Sequence, residues 1–213
     1  MKSLRQSLHK QDLLGLGIMV ILFVVFYFLF DEEILDDYWE TNVILILINI
    51  VMAVSLNLIN GLTGQFSIGH AGFMAVGAYT SAIITVKLGM DFPIALIVAT
   101  VSAAFLGFLI GMPTLRLNGD YLAIATLGLG EIIRIAILNI DYVGGASGFM
   151  GIPRLTTFPS AFWIMVFVVY FIKNFKNSAD GRACLAIREN EIAAETMGIN
   201  TTKYKVMAFT IGA

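Results

Sequence analysis

The chain has 213 residues and a formal net charge of −2; 58% of it is hydrophobic and only 13% charged. A soluble domain carries about 25% charged residues, and the mean hydropathy here is +0.86. A sequence this apolar has too little polar surface to cover a water-soluble globule, and its solvent must be a bilayer. One cysteine, Cys184, excludes an intrachain disulfide, and two histidines at unrelated positions supply no metal-ligand set. No GxxxxGK[ST] phosphate loop is present, so any ATP chemistry belongs to another chain. The sequence predicts no metal or cofactor on this chain and no nucleic-acid partner.

In chain order, a basic leader with Lys2, Arg5 and Lys10 precedes an uncharged run over 13–30. That run is followed by Asp31-Glu32-Glu33 and not by a small-residue cleavage site, which predicts a retained helix rather than a signal peptide. Further apolar runs cover 43–59, 66–86, 92–115, 121–140 and 155–172. Each approaches the roughly 20 residues that a spanning helix needs. A seventh begins at Val206 and stops at Ala213. The expected fold is an all-α polytopic transmembrane bundle, one membrane domain over 1–213. It has about six complete spans and the start of a seventh, truncated at the C-terminus.

Charge orients these runs. The 31–42 loop holds six acids and no Lys or Arg, whereas 173–205 carries Lys173, Lys176, Arg182, Arg188, Lys203 and Lys205. By the positive-inside rule the N-terminus, Arg116 and the 173–205 loop are expected in the cytoplasm.

Several segments carry candidate function. Over 92–115 a small residue recurs every fourth position: Ala95, Ala99, Ala103, Gly107 and Gly111. These share one helical face and predict a helix-packing seam. Residues 57–73 hold four glycines with amides and hydroxyls between apolar runs. Two readings stand: a discontinuous membrane segment beside a substrate path, or an ordinary turn between spans. Asn57, Gln65, Ser67 and His70 are path candidates there, although a lone histidine is more commonly a packing residue. Glu131 and Arg134, at i and i+3 inside a span, are expected to pair and to face the protein interior. They fit a buried pair fixing helix register, or a polar element beside the path. An enzymatic role ranks last, because no second acid, metal or nucleophile accompanies the carboxylate.

In the basic loop, Ser178 or Asp180 can cap a helix, and Gly198 with Asn200 suits a stop. A short helix near 189–197 would show Ile192, Ala193, Thr196 and Met197 between acids, a natural handle for a partner.

Glu191-Ile-Ala-Ala-Glu195-Thr-Met-Gly198 resembles the EAA loop of ABC importer permeases, with Ile192 rather than Glu directly before the Ala pair. Gly61-Leu-Thr-Gly-Gln-Phe-Ser-Ile-Gly-His-Ala-Gly-Phe73 resembles the signature of the LivM/LivH permease subunits of branched-chain amino acid ABC importers. The run from Leu115 to Arg134 and Gly144-Gly-Ala-Ser-Gly148 with Gly151-Ile-Pro153 are similar to the LivM side of that family. The resemblance implies a non-catalytic permease subunit in the cytoplasmic (inner) membrane, working by alternating access. Its implied partners are a second, LivH-like permease subunit, two ATPase subunits carrying ATP and Mg, an extracytoplasmic amino-acid-binding protein, and membrane lipids. Gly181, Arg182, Arg188, Glu189, Glu191, Ala193, Ala194, Glu195 and Gly198 would form the ATPase-coupling loop. A urea or short-amide ABC permease is a lesser alternative. The rival of another class is a proton-coupled secondary transporter with His70 and Glu131–Arg134 as a relay.

Overall fold

A computed structural model of the chain describes residues 2–32, 35–115, 117 and 119–213. Glu33, Arg116 and the side chains of Lys2, Arg5 and Lys10 lie outside the described set. Among the described residues there is no strand. Those residues form nine α-helices in order: α1 (Lys2–Asp31), α2 (Asp37–Asn57), α3 (His70–Ala82), α4 (Phe92–Thr114), α5 (Asp120–Leu138), α6 (Phe158–Asn177), α7 (Ala179–Glu189), α8 (Glu191–Thr196) and α9 (Thr201–Gly212). π-helical turns extend α2 over Leu58–Leu62 and α3 over Ile83–Lys87.

Among the described residues, four helical runs are long and apolar enough to cross a membrane: Asp37–Leu62, Phe92–Thr114, Asp120–Leu138 and Phe158–Asn177. Gly17–Asp31 adds a shorter apolar stretch within α1. With its π turn, α3 forms a helical run from His70 to Lys87. This is the all-helical, multi-pass architecture that the apolar runs predict.

The chain divides into two compact units, residues 1–51 with 156–167, and residues 52–155 with 168–213. The first unit is held by aromatic packing. Phe23 lies 5.1 to 5.9 Å from the rings of Phe158, Phe162 and Trp163. Phe26 and Phe30 close on Phe158 as well.

The second unit carries the functional candidates. Its core joins Ile59, Phe73, Ile110, Leu122, Val206 and Phe209, with Phe73 and Phe209 edge to face at 5.5 Å. Here α4 inverts the pattern of a soluble amphipathic helix. Ala95, Ala99, Ala103, Gly107 and Gly111 form its buried face, and Ile97, Val101 and Phe105, each more than 60% exposed, form the outer one. Small residues go inside because α4 packs closely against α3 and α9. Large apolar residues go outside because acyl chains, not water, meet them. A Cβ on Gly107 would overlap the Ala213 side chain, and one on Gly212 would meet Ile59 carbons at 2.7 and 2.8 Å.

Gly107→Leu is therefore expected to destabilise the unit by about 1–3 kcal/mol, the usual cost of overpacking. Ile97→Leu on the outer face should be neutral. Thermal unfolding of the two variants in the same detergent checks the contrast.

Candidate functional site

The α7–α9 segment is built on three successive side-chain caps. Ser178 Oγ accepts from the Gly181 N–H at 3.1 Å, starting α7. Asn190 Oδ1 accepts from the Ala193 N–H at 3.0 Å, ending α7 and opening α8. Asn200 Oδ1 accepts from the Lys203 N–H at 3.0 Å, opening α9. The stop after α8 is a Schellman motif: Ile199 N–H donates to Ala194 O, Gly198 N–H donates to Glu195 O, and Gly198 sits at φ +85°. Gly181 is required at the α6–α7 corner, because a Cβ there would overlap the backbone carbonyls of Phe175 and Lys176.

An ion pair locks α8 to α9. Lys205 Nζ lies 2.5 Å from Glu191 Oε1, with the Lys205 side chain only 8% exposed. Ala194 is the buried residue of α8, whereas Ile192 (76%) and Met197 (83%) project outward, as do Ala193 and Glu195. Arg182 is exposed and returns to the Asn177 carbonyl at 2.8 Å. Cys184 is fully buried against Leu58, Leu62 and Ala208. Burial, with the nearby Asp180 charge second, pushes its thiol up to about 11. Cys184 is thus protonated at neutral pH and sealed from reagents.

Arg188 reaches out of this segment. Its Nη1 donates to the Gly61 carbonyl at 2.9 Å, and Nη2 lies 2.7 Å from Glu189 Oε1. The Arg188 stem covers Gly64, where φ is +69° and a Cβ would lie 2.8 Å from Arg188 Cγ. Glycine is needed at that position for both the backbone angle and the space.

From Leu62 to Gly69 the backbone is neither α-helical nor strand. Its polar groups find specific partners. Asn60 brackets Ser67, accepting from its N–H at 3.2 Å and donating to its carbonyl at 3.4 Å. Ile68 N–H donates to Thr126 Oγ1 at 3.1 Å, and a Cβ on Gly69 would overlap the Thr126 carbonyl. Thr126 lies six residues beyond Asp120, the first residue of α5, about 9 Å along the axis at 1.5 Å per residue. The segment therefore climbs from the level of Arg188 to well inside the span of α5 before α3 begins. It is a discontinuous stretch packed on a spanning helix, not a turn beyond the helix ends.

The broken segment and the first residue of α3 gather three of the six path candidates. Gln65, Ser67 and His70 are all buried, while Asn57 is exposed at the end of α2. His70 Nε2 is 2.7 Å from Ser55 Oγ. Gln65 Nε2 and Oε1, Ser67 Oγ and His70 Nδ1 are buried without a hydrogen-bond partner among the described residues. Such atoms are rare in native structures. Gln65 also lines a hollow of about 270 Å³ with Gly64, Gly119, Arg188, Glu191 and Lys205.

Glu131 and Arg134 form the predicted pair, with Arg134 Nε 3.0 Å from Glu131 Oε2. The expected inward placement is not what this chain shows: the side chains are 54% and 66% exposed. Helix α5 meets Gly69 and Gly72 through Thr126 and Gly130, and this turns the pair toward the edge of the contact. There it borders a second hollow of about 180 Å³ between α3 and α5. Sequence reasoning missed Ser55, Thr126, Gly61 and Lys205. The two hydroxyls inside apolar runs were a usable signal; the Gly61 carbonyl carried none.

Multi-pass apolar helices, a broken polar segment and a capped loop with an exposed apolar tip define the chain as a multi-pass helical membrane protein. Residues 38–213 match the family "Branched-chain amino acid transport system / permease component", and the chain belongs to that family. It is 35% identical to the "High-affinity branched-chain amino acid transport system permease protein LivM" of Salmonella typhimurium, an alignment covering 97% of this chain and 56% of that protein. It is 37% identical to the protein of the same name in Escherichia coli, covering 79% and 48% respectively. With a "Probable branched-chain amino acid transport permease protein LivM" of Methanocaldococcus jannaschii the identity is 30%, over 55% of this chain and 39% of the relative. The chain spans about half the length of the curated relatives it matches. No solved structure matches it.

Removing Glu191 strands the buried Lys205 charge. Glu191→Ala should cost about 1–3 kcal/mol, the penalty for an unsatisfied buried donor. Proteolysis is expected to cut first around 190–200, and limited digestion beside the wild type checks this.

Proposed function

We propose that this chain is a transmembrane subunit of an ATP-driven importer for branched-chain or related hydrophobic amino acids, with α8 docking on a separate ATPase subunit. The observation that carries the reading is the α8 tip. Ile192 and Met197 stand exposed on a helix whose ends are capped and whose base is pinned by Glu191–Lys205. An exposed apolar tip on a rigid support is the form of a partner contact. The family and the LivM relatives supply the substrate class. Gly181, Arg182, Arg188, Glu189, Glu191, Ala193, Ala194, Glu195 and Gly198 form or support the docking loop. Arg188 then links it to the broken segment through Gly61 and Gly64.

The charge distribution supports a cytoplasmic N-terminus and a cytoplasmic 173–205 loop in the inner membrane. ATP and Mg belong to the two ATPase subunits. A second permease subunit would complete the pore, and an external binding protein would deliver substrate. ATPase closure would pull on α8, and Arg188 would pass that motion to the 58–69 segment. The path would then face alternately outward and inward, each state favoured by a different nucleotide state. The proton-coupled rival gains nothing from the geometry. His70 is engaged by Ser55 and Glu131 by Arg134, and no hydrogen bond joins the two pairs among the described residues.

Purification of the full-length protein with its neighbours should bring down an ATPase chain. A cysteine at the exposed tip, Met197→Cys, should crosslink to that chain, whereas native Cys184 should not react. Uptake in proteoliposomes that follows a proton gradient without any ATPase would sink the reading. Gly198→Pro cannot adopt φ +85° and loses the N–H that bonds Glu195. It should abolish ATP-coupled uptake while membrane insertion persists; unchanged uptake would remove α8 from the coupling route.

A further inference from the structure

The hollow between α3 and α5 has an unusual chemical division. Its floor is Ile68, Gly69, Gly72, Ala75 and Leu127, wholly apolar and mostly small. Its rim carries one carboxylate and one guanidinium, Glu131 and Arg134, 3.0 Å apart. The small residues are enforced by the helix contact itself. A Cβ on Gly72 would lie 3.1 Å from Gly130 Cα, and one on Gly69 would overlap the Thr126 carbonyl. The volume, about 180 Å³, is below the roughly 300–1,000 Å³ of drug-sized sites and suits one small molecule.

An ion pair within a spanning helix is costly in lipid alone, and this pair, more than half exposed, stands at the border of the hollow. Two opposite charges side by side above an apolar floor complement one kind of ligand, a molecule with an ammonium and a carboxylate on one carbon and an aliphatic tail. We infer that the α3–α5 hollow binds an aliphatic α-amino acid in transit, its carboxylate on Arg134, its ammonium on Glu131 and its side chain over Gly69, Gly72 and Leu127. This rests on the permease reading above and adds to it a defined station on the path. Gly69 and Ile68 close the broken segment, so movement passed through Arg188 and Gly61 would reshape the floor directly.

The test uses the complete complex containing the full-length chain, in lipid nanodiscs and without the external binding protein. Radiolabelled leucine should bind saturably. Unlabelled 4-methylpentanoate, which lacks the amine, should compete about tenfold less well than leucine, as expected for a lost charge-assisted hydrogen bond. Glu131→Gln should erase that preference, and Arg134→Gln should weaken leucine binding about tenfold. Gly130→Ala places a Cβ at an ordinary 3.7 Å from Gly69 Cα, so the helices stay packed. It narrows the hollow and should weaken leucine more than alanine. Leucine binding and amine preference unchanged in all three variants would overturn the inference. Dissociation of the Glu131→Gln complex on size exclusion would also overturn it, assigning the pair to a seam between subunits. Either result, with ATP turnover still stimulated by the binding protein, would leave the importer reading standing. A complex with no ATPase would sink that wider reading whatever leucine does.

Discussion

A backbone that leaves helical geometry inside an apolar bundle must find a partner for its exposed N–H and C=O groups. Much of the second unit follows from how residues 58–69 meet that requirement. A π turn ends α2, Asn60 brackets Ser67, Thr126 takes the Ile68 N–H, and Arg188 takes the Gly61 carbonyl. Each partner comes from a different place: the segment's own amide, a spanning helix, and the loop beyond α6. The break is therefore also a junction. It is the point where the α7–α8 region and the α3–α5 contact are joined by direct bonds.

Packing follows the same logic. The stripe on α4 and the glycines at 69, 72, 107 and 212 let backbones approach, and a Cβ at any of them would collide or press hard. In a lipid environment apolar side chains gain little by leaving the solvent for each other. Contact area between closely fitted surfaces does that work instead. The outward Ile97, Val101 and Phe105 are then no liability, and neither is the extensive exposed apolar surface elsewhere. The charged loop obeys soluble-protein rules, with side-chain caps, a glycine stop and one buried ion pair.

Three readings of the candidate site met different fates on structural grounds. Residues 57–73 admitted either a turn or a discontinuous segment, and the Ile68–Thr126 bond decides for the latter because it fixes height along α5. Glu131 and Arg134 were legible as a pair from their spacing, yet the side they face depends on which residues of α5 touch α3. That choice is made by Gly130 opposite Gly69 and Gly72, a long-range match no local pattern reveals. Lys205 looked like one more basic loop residue, and only the packing of α9 shows it buried against Glu191.

The sequence by itself determined that the chain is a multi-pass helical membrane protein. Length and hydropathy of a spanning helix are local quantities, and so are the cap residues Ser178, Asn190, Asn200 and the stop at Gly198. It also determined family membership, through runs of residues long enough to be specific. Tertiary structure alone decided that the glycine-rich stretch rises along α5, that Arg188 holds it at Gly61, and that Cys184 is sealed while Met197 is presented. Each depends on contacts between residues far apart in the chain: 58 positions from Ile68 to Thr126 and 127 from Gly61 to Arg188. Periodicity and propensity carry no information at that range.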